Sequence, residues 1–227
     1  MTSAPDLRLL FSTDAANRAA SFHDVIGDGL EGELDDRIPD LLVLLHSQDG
    51  ASALKAAVML TSWGHPEAFQ TLERWSRQPT SAPWTSPSLV HHRHSGANEG
   101  WAMLADAIRT SRYAVERPGL ESARISALRS LLSLTLTEDF DRSLATTISS
   151  IADASSRLAT ELETAILSLI EAGPSVEFDR PFQAALLNKE LARTRPEQSR
   201  LFAQRLIDTS PSQRARRELL DTLNRES

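Results

Sequence analysis

The stretch IPDLLVLLHS (38–47), followed by ASALKAAVMLTSWG (51–64) and HPEAFQTLERW (65–75), decides the fold class. Leu34, Ile38, Leu41, Leu42 and Leu45 fall at i, i+4, i+7, i+8 and i+11, one stripe of a helix. Pro39 fits that helix only in its first turn, because proline has no N–H to give, so the spacing predicts a start near Asp36 or Arg37. Ala53, Ala56, Ala57, Leu60 and Trp63 make the next stripe, closed by Gly64 as a left-handed C-terminal residue. Pro66 then opens a third helix carrying Phe69, Leu72 and Trp75. None of these segments can bury its apolar face alone, so they are expected to pack as a helical hairpin.

Working outward, the same rhythm continues. Trp101, Leu104, Ala105 and Ile108 form one stripe, and Ile125, Leu128 and Leu132 another. Phe140, Leu144, Ile148 and Ile151 follow. Leu158, Leu162, Ala165, Ile166 and Leu169 run up to a stop at Gly173-Pro174. Further starts stand near Pro181, Pro196 and Pro211, the last with Ser210 as cap and Gln213 reaching back. A helix is also expected over about Thr13 to Ile26. Aromatic residues are only 5% of the chain, and β-branched runs are few. The expectation is an all-α chain of about ten helices with no strand.

The Ile38–Trp75 stretch resembles a HEAT repeat. It has a proline early in its first helix (Pro39), an LLxLL-like run (Leu41 to Leu45) and a break at Ser47-Gln48-Asp49-Gly50. Lys55-Ala56-Ala57 and Leu60 follow, and Gly64-His65-Pro66-Glu67-Ala68 is similar to the Gly-x-Pro-Glu-Ala turn by which one such repeat enters the next. The resemblance covers residues 38–75, and later segments keep the helix rhythm without the signature. It implies a short, irregular α-solenoid of antiparallel hairpins, one elongated domain over 1–227, whose surface serves as a binding scaffold.

Charge is uneven along the chain. The net value is −7. Residues 180–227 nevertheless hold ten basic against six acidic residues, and 1–179 hold fourteen against twenty-five. There is no cysteine, which excludes a disulfide framework, a thiol nucleophile and thiolate-bound metal. No apolar run reaches the roughly 18 residues that span a bilayer. The start MTSAPDLRLLFSTDAA lacks a basic segment followed by an apolar one, so no leader is expected, and the expected location is the cytoplasm.

Catalytic signatures are missing. There is no glycine-rich phosphate loop, no Gly-x-Ser-x-Gly and no His-Glu-x-x-His. Ser52-Ala53-Leu54-Lys55 spells Ser-x-x-Lys, but without companion motifs and inside a helical stripe. The chain is therefore expected not to be an enzyme.

Three features could carry function. The first is the acidic stretch 24–40, where Asp28, Glu31, Glu33, Asp35, Asp36 and Asp40 could dock a basic partner; the competing reading is a solvated face with carboxylates at helix N-termini. The second is 77–97, RQPTSAPWTSPSLVHHRHSGA, a long segment without helical period. Trp84 gives it something to dock with, and Trp84, His91, His92, Arg93 and His94 are candidates for partner contact. With Glu99 or Asp106 these histidines could also hold zinc or nickel, and with Trp84 or Trp101 they could line a ligand pocket; no second ligand motif stands at a characteristic spacing, so neither metal nor cofactor is expected. The third is the Arg-rich 180–227. Its acids Glu190, Glu197, Asp208, Glu218 and Asp221 interleave at helical spacing, and no aromatic residue stands among the arginines to stack bases, which argues against nucleic acid. DNA-repair glycosylases with a HEAT-like fold present a basic groove, and this chain, with a pI of 5.4, departs from that. A small, acidic, cysteine-free helical chain is similar to immunity proteins that neutralise bacterial toxins, which implies a protein partner, in particular a basic one.

Overall fold

A computed structural model describes residues 5–85, 99–209 and 212–224. Among the described residues the chain is all-α, with α1 (Leu7–Ser12), α2 (Phe22–Leu30), α3 (Ile38–Leu45), α4 (Gly50–Ser62), α5 (Pro66–Arg77), α6 (Glu99–Thr110) and α7 (Leu120–Leu132). There follow α8 (Ser143–Ser150), α9 (Ala154–Arg157), α10 (Ala159–Ala172), α11 (Arg180–Ala192), α12 (Pro196–Thr209) and α13 (Gln213–Asn224). The described residues gather into two compact units, one from 5–85 and 107–127, the other from 99–106 and 128–224.

The first unit is organised by α4. Ala56 through Ser62 are buried without interruption, so this helix has no solvent face over two turns. It packs against α2, α3, α5 and the 3-10 turns Pro83–Thr85 and Ser111–Tyr113. Small residues at 53, 56 and 57 let the neighbours approach. The expected stop at Gly64 is a Schellman turn: the His65 N–H donates to Leu60 O (2.8 Å), the Gly64 N–H donates to Thr61 O (3.0 Å), and Gly64 has φ 72°. A Cβ there would lie 2.9 Å from Leu120. Pro66 then opens α5 with His65 as cap, its Nδ1 accepting the Glu67 N–H.

Trp63 locks α2 onto this core. Its indole N–H donates to Ile26 O at 3.0 Å, and a Cβ on Gly29 would fall 1.9 Å from the indole ring. The approach of these two helices therefore requires glycine at 29.

The second unit repeats this plan around α11. Like α4, α11 has 13 residues, follows an aspartate (Asp49 and Asp179) and is succeeded by a helix beginning Pro-Glu. Residues Pro181 through Asn188 are all buried, and α8, α9, α10, α12 and α13 surround the helix. Polar side chains on it are answered by backbone. Gln183 donates to Thr135 O (2.6 Å) and Glu138 O (3.2 Å) and accepts the Phe140 N–H (2.8 Å). Asn188 donates to Ser199 O while Ser199 Oγ donates to Asn188 O. Glu190 is buried, which pushes its carboxyl up against the opposing pull of Arg193 and Ser155.

Two helix boundaries differ from expectation. The Thr13–Ile26 stretch is not one helix: residue 13 pairs with Ala19 in an isolated bridge, Asn17 takes φ 59°, and α2 starts only after the Ser21–Asp24 capping box. Local side-chain hydrogen bonds outcompete continued helix there. At the far end α13 is capped by Ser212, whose Oγ accepts the Ala215 N–H, two residues beyond the expected Ser210, which lies outside the described residues.

Glycine 29 should not tolerate even a methyl group. Gly29→Ala is expected to destabilise the fold by about 1–3 kcal/mol in a denaturant titration, since the indole has nowhere to move without losing its hydrogen bond. Glu138 supplies a pH signature. Burial, and then the charge of Glu177, push it from 4.5 up to about 7. A raised pKa stabilises fully below the unfolded value, and that contribution fades as pH rises through about 7. Glu138→Gln should therefore stabilise the fold at pH 8 but not at pH 4, by about 1 kcal/mol once screening at this half-buried site is counted, read as a higher melting temperature at pH 8 only.

Candidate functional site

The acidic stretch folds as α2, the 3-10 turn Asp35–Arg37 and the start of α3. Two carboxylates serve the fold. Asp24 accepts from the Ser21 hydroxyl (2.6 Å) and N–H (3.1 Å), and these bonds, the hydroxyl first, hold it below the ordinary carboxylate range. Asp28 accepts the Ala15 N–H at 2.9 Å. The others, Glu31, Glu33, Asp35, Asp36 and Asp40, are exposed, and among the described residues none has an ion-pair partner.

The reason is where Arg37 goes. It is the one basic residue of the stretch, yet it is only 6% exposed. Its Nη1 donates to Leu9 O (2.6 Å) and Thr13 O (2.7 Å), and its Nη2 donates to Asp14 O (3.1 Å). The guanidinium thus closes the C-terminal end of α1, where the helix dipole favours a cation. Its hydrogen bonds all point inward, and the five carboxylates remain on the outside. Asp36, Asp40 and Val43 succeed one another at i, i+4 and i+7; Val43 is 60% exposed, and Pro39 is exposed beside it. This is an acidic surface with exposed apolar groups beside it.

Other candidates sort differently. Trp84 is buried, edge-on to Trp75 with ring centroids 4.5 Å apart, so its indole is committed to the core of its own unit. Of the 77–97 segment, residues 79–85 form the 3-10 turns Pro79–Ser81 and Pro83–Thr85, the second packed on α4, while 86–97 lie outside the described residues. His91, His92, Arg93 and His94 lie outside the described residues. Trp101 is fully buried, and Asp106 accepts from the Ser143 hydroxyl (3.1 Å). Among the described residues no three histidine or carboxylate groups are placed to share a metal ion. Ser52 donates to Asp49, whereas the Lys55 ammonium sits 5.4 Å from the centre of the Phe11 ring, so the Ser-x-x-Lys spelling brings no catalytic pair together.

Arg193, Arg195 and Arg214 of 180–227 sit in ion pairs. Arg195 pairs with Glu163 (2.6 Å), Arg193 with Glu190 (3.3 Å) and Arg214 with Asp141 (3.0 Å), while Glu218 takes both Lys189 and Arg142. The Arg214 guanidinium also lies 3.8 Å from the centre of the Phe182 ring.

One feature escaped the sequence reading. Near the C-terminal end of α7, facing α10, lies a slot of about 480 Å³. Thr160, Thr164 and Ser168 line it at i, i+4 and i+8, a hydroxyl stripe visible in the sequence once α10 is assigned.

No family model matches the chain, and no curated protein and no solved structure matches it either.

Replacing Arg37 with methionine keeps the stem and strips three carbonyls of their donor. The expected loss is about 3 kcal/mol of stability. Hydrogen exchange should accelerate first over residues 7–14; uniform acceleration across the unit would show that Arg37 is not a local latch.

Proposed function

We infer that this chain is a protein-binding module that captures a basic partner on the face formed by Glu31, Glu33, Asp35, Asp36 and Asp40. The observation carrying the reading is that these carboxylates are exposed and unpaired while the neighbouring Arg37 is turned into the fold. Unpaired charge of one sign raises association rates with a complementary partner and disfavours like-charged ones. Val43 and Pro39 add exposed apolar surface next to the carboxylates, which a bound partner would cover. Arg193, Arg195 and Arg214 are engaged in local pairs, which lowers the positive field that the Arg-rich region could offer a nucleic acid. The HEAT-like stretch 38–75 supplies part of this face, and within the class an immunity protein that neutralises a basic toxin in the cytoplasm is the specific form we favour.

The test is capture from native lysate with the wild-type chain and with Asp36→Lys/Asp40→Lys. A single stoichiometric basic protein should be retained by the wild type at low salt. It should be lost at high salt, when the screening length shrinks to a few ångströms. The double variant should retain at least about tenfold less, equivalent to about 1.4 kcal/mol. Equal retention by both proteins would remove the acidic face from the account.

A further inference from the structure

We propose that the slot between α7 and α10 is a binding site for a small neutral apolar molecule bearing a hydroxyl group, such as an alicyclic alcohol or a phenol. The slot lies wholly within the second unit, is independent of the acidic face, and at about 480 Å³ falls in the range of small-molecule sites. Its apolar surface comes from Leu132, Leu136 and Ala165. Its walls carry Ser133, Thr135, Thr160, Thr164 and Ser168, which by composition would make it polar.

Hydrogen bonding changes that character. Ser133 Oγ donates to Ser130 O (2.7 Å), Thr135 Oγ1 to Leu132 O (2.8 Å) and Thr164 Oγ1 to Thr160 O (2.9 Å). Each of these hydroxyls has spent its proton on its own backbone, so what it keeps is acceptor capacity. Thr160 Oγ1 already accepts from Arg195 at 3.1 Å. The charged groups of the slot are Arg129 and Glu161, bonded to each other. Burial works to raise the Glu161 carboxyl, but its hydrogen bond and ion pair with Arg129 hold it below the ordinary range, so it is ionised at neutral pH.

The head group follows by elimination. Arg129 and Glu161 neutralise each other, so a carboxylate or an ammonium would leave water for a slot with no net counter-charge unless it broke that pair. A carboxylate would also face the acceptor oxygens of Ser133, Thr135 and Thr164. A neutral hydroxyl can donate to a wall oxygen and accept from Arg129 without breaking the Arg129–Glu161 pair, while its hydrocarbon body covers Leu132, Leu136 and Ala165.

Three probes with one ring separate these cases: cyclohexanol, cyclohexylamine and cyclohexanecarboxylate, titrated into the full chain while the ¹³C methyl signals of Leu132, Leu136 and Ala165 are followed. Cyclohexanol should give saturable shifts, and the two charged analogues should bind about tenfold more weakly or worse. Thr164→Trp, at an exposed lining position, should abolish the shifts with melting unchanged; Ser168→Leu serves the same purpose should the tryptophan disturb folding. No saturable shift with cyclohexanol, equal binding of all three probes, or shifts that persist in both filled variants would overturn the proposal.

Discussion

A helix without a solvent face sets the terms for everything around it. Over Ala56–Ser62 of α4 and Pro181–Asn188 of α11 the polar side chains are out of reach of water and depend on partners inside the protein. Gln183 finds these in full, while among the described residues Thr61 Oγ1 and Asn188 Oδ1 do not. In α11 this requirement recruits the loop 135–140 through Gln183, the start of α12 through Asn188 and Ser199, and Ser155 through Glu190. The irregular segments are thus positioned by the central helix. Their backbones complete hydrogen bonds that the enclosure would otherwise leave broken, at a penalty of about 1–3 kcal/mol each.

The same economy explains the contrast between the two ends of the chain. Arg37 turns three hydrogen bonds into the fold, and the carboxylates around it keep their charge at the surface. Towards the C-terminus arginines meet acids at close range, and an exposed pair contributes little to stability while cancelling the local field. Net charge counted along a sequence hides this difference. What a partner meets is the charge left after internal pairing.

Much of the fold was legible. The stripes of 38–75, the proline-marked starts of α5, α11 and α12, and the Schellman stop at Gly64 all follow from spacing and capping chemistry. The start of α2 was not, because Thr13 to Ile26 has helical periodicity while Asn17 and the Ser21–Asp24 box offer the backbone better local bonds. Enclosure of α4 was not legible either: an alanine-rich helix reads the same with one face buried or with all of them. Of the candidate site, the acidic run was visible as charge, but the inward turn of Arg37 depends on carbonyls 23 to 28 residues away. Trp84 was a candidate for partner contact among its prolines, but the fold buries it against Trp75.

The placement of the tryptophans has an optical consequence. All four are buried; Trp63, Trp75 and Trp84 belong to the first unit and Trp101 to the second. Three of the four emitting indoles therefore report on the first unit, and the edge-on Trp75–Trp84 pair is placed for its transitions to couple in near-ultraviolet dichroism. Far-ultraviolet ellipticity, by contrast, samples helices in both units. Tracking the two signals together distinguishes loss of the first unit from loss of the whole chain without any added label.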